Sequence, residues 1–85
     1  MAPTKVRDIR AFVLLAKTGS MVRAARLLGE SSGAISRRID RLEREVGMLL
    51  VHRSTRSMRL TDEGAAYLNT AQQVLDLLEI GRAHV

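Results

Sequence analysis

Eighty-five residues with a formal charge of +5, 46% of them apolar and none of them cysteine, bound the chain to one small domain and exclude a disulfide framework and a thiolate metal site. Only Phe12 and Tyr67 are aromatic, which suits packed helices of Ala, Leu, Ile and Val better than a β-sandwich. No uninterrupted apolar run approaches the roughly 20 residues of a membrane helix and the N-terminus has no signal-peptide core, so a soluble cytoplasmic protein is expected.

The positive charge is local. Between Arg37 and Arg59 stand seven arginines against three acids, whereas Asp62 to Glu79 holds four acids and no Lys or Arg. A basic patch of this kind is the electrostatic footprint of phosphate binding, set against the plainer reading of a solvated helix face.

In chain order, Met1 to Thr4 is a lead with Pro3 and a helix cap at Thr4. Val6, Ile9, Phe12, Val13 and Ala16 then mark one face of a supporting helix over 6–17, with Asp8 and Lys17 at the ends the helix dipole favours and Gly19 as its stop. Ser20 caps a second helix, Met21 to Leu28, in which the adjacent Ala24 and Ala25 let a neighbour approach closely. Gly29 ends it, and Glu30 or Ser31 caps a third. Arg23, at the start of the second helix, is placed to touch phosphate.

The third helix, 32–46, carries the argument. Ile35, Ile39, Leu42 and Val46 recur at steps of four, three and four, a narrow arc at about 100° per residue. Arg37, Arg41 and Arg44 project to the opposite side beside Gly33, with Ser36 and Arg38 on the flanks. In a helix-turn-helix the second helix enters the major groove with its N-terminal residues at base edges. That position assigns base readout to Ser32, Gly33, Ser36 and Arg37, with Arg37 first because arginine pairs bidentately with guanine. Arg38 and Arg41 fall naturally on phosphates. The opposing reading makes these arginines surface ion-pair partners of Glu43 and Glu45, contributing little.

After Gly47 the period changes. Leu49–Arg53 and Ser57–Leu60 are short strands joined by the polar loop Ser54-Thr55-Arg56, a basic wing over 49–60. Arg53 and Arg56 lie along the DNA backbone or reach into the minor groove. Thr61 caps a last helix with Asp62 and Glu63 in its first turn. Along it Gly64, Leu68, Ala71, Leu75 and Leu78 keep the spacing of a coiled-coil seam, which assigns dimerisation to Leu68, Ala71, Leu75 and Leu78.

The stretch FVLLAKTGSMVRAARLLGESSGAISRRIDRLEREVGMLLVHRSTRSMRLTDEGAAYL resembles the N-terminal DNA-binding domain of LysR-type transcriptional regulators, over roughly residues 5–79. The resemblance rests on Gly19-Ser20 followed by Arg23-Ala24-Ala25, then Ala34-Ile35-Ser36-Arg37, Arg41-Leu42-Glu43, Gly47, Arg53, and Leu60-Thr61 with Gly64. It implies a winged helix-turn-helix, a dimerising linker helix and regulation of transcription at an interrupted inverted repeat of double-stranded DNA. It also implies that complete members continue into an effector domain of two α/β lobes, which would take any small-molecule effector. Carried over by position, the family's groove contacts fall on Ser32, Gly33, Ser36 and Arg37, and its wing contact on Arg53. The chain departs from the family pattern at Ser32-Gly33, where Gln-Pro is usual, at Met21, where an aromatic residue is common, and at Val51, where Phe is frequent.

Two motifs are set aside. Gly29-Glu30-Ser31-Ser32-Gly33 satisfies the G-x-S-x-G of a nucleophile elbow, yet follows a helix rather than a strand. His52 and His84 have no metal-ligand spacing. Ile80-Gly81-Arg82-Ala83-His84-Val85 matches one reading frame of a widely used sequencing adapter, and Gly81 is expected to break the last helix, so 80–85 is read as a non-native or disordered tail.

The sequence thus defines a mainly α winged helix-turn-helix: residues 1–60 bind DNA, 61–79 form a linker and dimerisation helix, and no cofactor, metal or catalysis is expected. The chain is expected to act as a homodimer, associated with the nucleoid when bound to DNA. The alternative is a protein-interaction fragment that dimerises through 61–79.

Overall fold

The structure, a computed structural model, describes residues 6–53 and 58–83, with side chains through Leu78. Among them are four helices and one hairpin in the order α1 (Val6–Thr18), α2 (Met21–Leu28), α3 (Ser32–Val46), β1 (Val51–Arg53), β2 (Met58–Leu60) and α4 (Asp62–Ala83). The hairpin is antiparallel, pairing Val51 with Leu60, His52 with Arg59 and Arg53 with Met58. Arg56 of the expected loop lies outside the described residues. No helix among those described is long and apolar enough to cross a membrane.

The centre of the domain is α1, which touches α2, α3 and α4. Phe12 and Leu15 are fully enclosed with Ile35, Ile39 and Leu42 of α3 and with Leu50. Buried Ala24 and Ala25 present little bulk on α2, so the helix pair closes tightly over them. Phe12 also meets Tyr67 of α4 in a tilted contact, ring centroids 5.7 Å apart.

Helix ends follow local chemistry. The Ser20 hydroxyl accepts from the Arg23 amide at 3.1 Å, and the Ser31 hydroxyl accepts from the Ala34 amide at the same distance. Gly29 takes φ 69°, which places its own amide on the Arg26 carbonyl and the Glu30 amide on the Ala25 carbonyl. Those two bonds satisfy carbonyls the helix would leave open, and a side chain at Gly29 would be strained in this left-handed conformation.

The strands are shorter than the sequence pattern suggests. The buried Oε2 of Glu43 accepts from the Leu50 and Val51 amides at 2.8 and 3.2 Å, which ties the entry to the hairpin to α3, while the Leu50 carbonyl accepts from the Thr61 amide at 3.0 Å. Beyond the hairpin, the Thr61 hydroxyl donates to the Leu49 carbonyl at 2.6 Å and accepts from the Gly64 amide at 2.8 Å.

The seam expected to join two copies instead faces the domain itself. Ala71 and Leu75 are buried in the core and Leu68 packs against it. A Cβ at Gly64 would fall on the Leu50 carbonyl, well inside contact distance, so Gly64 marks close intramolecular approach. Only Leu78 of the four expected seam residues is exposed, together with Val74 and Leu77. Heptad spacing specifies an apolar face without specifying its partner, and the small residues on this face fit the chain's own bundle. The last helix also continues through Gly81 to Ala83, where a break was expected; one glycine near a helix end costs only about 1 kcal/mol relative to Ala.

Candidate nucleic-acid interface

Three faces of α3 behave differently. Its back carries Ile35, Ile39 and Leu42 into the core. Its front holds Ser32, Gly33, Arg37 and Arg44, all exposed, and neither Arg37 nor Arg44 has an ion-pair partner among the described residues. The Arg37 guanidinium lies over Gly33, with Nη1 3.5 Å from where a Cβ would stand there. Ser36 is half-buried at the edge of this face, and Arg23 is exposed on α2.

On the flank toward α1, Arg38 and Arg41 are not free for the phosphates they were expected to meet. Arg41 grips Asp8 through Nε at 2.7 Å and Nη2 at 3.0 Å, while Arg38 donates Nη1 to Asp8 at 2.9 Å. Arg38 also holds Glu30 in a two-pronged contact at 2.7 and 2.6 Å, and Arg7 approaches Glu30 at 3.4 Å. The Asp8 side chain is 0% exposed, and a carboxylate so enclosed must be paired, which is why it captures both arginines. Burial pushes the Asp8 carboxyl up, but the bonds from Arg41 and Arg38 more than offset this and hold it below the ordinary aspartate value. Glu30 is likewise held low, chiefly by the Arg38 bond.

The opposite flank carries the wing. Arg53 donates to Asp40 at 2.7 Å, to the Ser36 hydroxyl at 3.3 Å and to Glu43 at 3.5 Å. All three acceptors belong to α3, so the first wing strand is fastened along the recognition helix. The sequence pattern assigns Asp8 to the helix dipole, Glu30 to a cap and Glu43 to a surface ion pair, and gives Asp40 no role, so none of the four is foreseen as a fixed partner of these arginines. The usable signal for Asp8 is its place one and two turns before Phe12 and Leu15, on a stripe that is otherwise apolar.

A helix-turn-helix whose second helix offers free arginines on one face, followed by a basic antiparallel hairpin, defines a winged-helix domain of the kind that carries DNA-binding sites. Residues 6–65 match the family of the bacterial regulatory helix-turn-helix protein, lysR family, and the chain belongs to this family of transcriptional regulators. It is 40% identical over 72 residues to the HTH-type transcriptional regulator CrgA of Neisseria meningitidis serogroup C (strain 8013), covering 85% of this chain and 24% of that protein. To the HTH-type transcriptional regulator TfdS of Cupriavidus pinatubonensis (strain JMP 134 / LMG 1197) it is 42% identical over 79 residues, covering 93% of this chain and 26% of that one. The fold superposes on the CbnR DNA-binding domain in complex with DNA with a TM-score of 0.88 at 32% identity, over 94% of this chain and 92% of the other. The chain spans about a quarter of the length of the curated relatives it matches.

Proposed function

We propose that this domain binds double-stranded DNA sequence-specifically to regulate transcription, with α3 in the major groove and the hairpin beside the backbone or minor groove. The observation that carries the reading is the front of α3, where exposed Arg37 and Arg44 stand without an ion-pair partner among the described residues beside Ser32, Gly33 and Ser36 while the back of the same helix is locked in the core. Arg37 reads a base edge, Ser32, Gly33 and Ser36 shape the contact around it, and Arg23 and Arg44 meet phosphates. Arg38 and Arg41 act one step removed, by fixing the helix through Asp8. The 32% identity to a domain crystallised with DNA supports the same reading.

Two copies of the chain pair through the outer strip of α4, Val74, Leu77 and Leu78, which is exposed while Leu68, Ala71 and Leu75 face inward. This two-fold arrangement suits an interrupted inverted repeat. A fluorescence-anisotropy salt series on random and library-selected duplexes tests the function. Retention that weakens steeply with salt and is tighter on the selected duplex is expected. Salt-insensitive association with protein and no retained DNA would leave the protein-interaction reading standing instead.

A further inference from the structure

The recognition helix carries an acid on the face that meets DNA. Asp40 lies one turn beyond Ser36 and one turn before Arg44, and its side chain is 51% exposed. A carboxylate there repels phosphate, yet its only partner among the described residues is Arg53, the wing arginine, at 2.7 Å. The three acceptors of Arg53 are unequal. Glu43 is buried and already accepts two backbone amides, and the Ser36 hydroxyl is uncharged, so Asp40 supplies the one solvent-facing charge that holds Arg53 in place.

We propose that Asp40 is a positioning residue that restrains DNA affinity: in the free domain it holds Arg53 across Ser36, and it yields Arg53 to a phosphate when α3 is fully seated in the groove, so that the contact is made at the cost of the pair. The inference rests on the DNA-binding reading above. An exposed ion pair is weak enough for a phosphate to replace, contributing about 0.2 to 1 kcal/mol. In a loose encounter along the backbone the pair stays closed, the wing cation is neutralised, and no counterion is released on its account. In the seated complex Arg53 exchanges carboxylate for phosphate. Random duplex therefore gains nothing from Arg53, and the correct site gains the phosphate contact less the ion pair it gives up.

The test is an anisotropy salt series with a random duplex and a duplex selected by the wild-type protein from a random library. It compares wild type, Asp40→Asn, Arg53→Ala, the double variant, and Glu45→Gln as a charge-matched control elsewhere on α3. Asp40→Asn is expected to tighten the selected duplex about threefold, because the ion pair no longer has to be given up, and to tighten the random duplex by no more than that while steepening its salt slope by about one, so that the specificity ratio does not fall. In the Arg53→Ala background the same substitution should tighten either duplex no more than Glu45→Gln does, which measures the loss of one negative charge from α3. An equal gain without Arg53, or no gain beyond that of Glu45→Gln, overturns the proposal, since each removes Arg53 as intermediary. Nitrogen-15 NMR without DNA gives a second measure: rotation of the Arg53 guanidinium is expected to be hindered in wild type and freed in Asp40→Asn, and equal rotation in both overturns the latch. Absence of salt-dependent retention of any duplex by wild type would instead sink the DNA-binding reading and leave the NMR comparison to decide on the contact.

Discussion

The two flanks of α3 use the same pair of groups, guanidinium and carboxylate, for opposite ends. Toward α1, Arg38 and Arg41 surround an Asp8 side chain with no exposure, and the cluster welds the recognition helix to the central helix. Toward the wing, Arg53 meets an Asp40 that is half in solvent. Burial decides the outcome. A charge withdrawn from water is costly to leave alone, so the first cluster is permanent structure, whereas the second forms and breaks at little cost and leaves its arginine able to change partners.

The comparison is broken most forcefully at Asp8. Asp8→Ala leaves Arg41 without its carboxylate and Arg38 with Glu30 alone, and is expected to cost about 2 kcal/mol, read from urea unfolding, whereas Asp40→Ala should stay within about 0.5 kcal/mol of wild type. Acid titration sharpens the same contrast. The Asp8 carboxyl is held below its ordinary value in the fold, so its stabilising contribution is complete above the unfolded-state aspartate value and disappears as pH falls through the lowered one. The stability gap between wild type and Asp8→Asn should therefore be widest near neutrality and narrow on acidification, as followed by thermal melts across pH; a gap constant with pH would contradict the charge-based account.

On the front face the effects move from folding to binding. Arg37→Ala is expected to weaken the selected duplex by about 1 to 3 kcal/mol and relax preference at one base pair, with unfolding unchanged. Arg53→Ala should lower the salt slope on that duplex by about one, a smaller loss of affinity at physiological salt. The smallest effect falls at Gly33. A methyl group there would stand in ordinary contact with Arg37, so Gly33→Ala should stabilise the helix by about 0.5 kcal/mol in thermal unfolding and leave Arg37 in place.

Features governed by neighbouring residues were legible in the sequence. Ser20, Gly29, Ser31 and Gly47 bound the helices because capping and left-handed turns depend on chemistry within a few positions. The front of α3 followed from its apolar period. What escaped depended on distant partners. Asp8 occupies an apolar position, and nothing local reveals that Arg38 and Arg41, some thirty residues away, neutralise it. The outward direction of Arg38 and Arg41 was therefore overvalued, and Glu43 passed for a surface acid although it ties down the Leu50 and Val51 amides. The α4 period showed an apolar face but not which body it meets. Gly64 and Ala71 held the clue, since small residues mark where backbones come nearest.

Residues 49–51 form a junction where three elements are bonded together. Glu43 holds them to α3, Thr61 holds them to the start of α4 where Gly64 lets the backbones come close, and the wing begins there. Mechanically this is a bracket with α4 as its arm. In the proposed dimer the placement of one α3 relative to the other would therefore follow from where the two α4 helices meet.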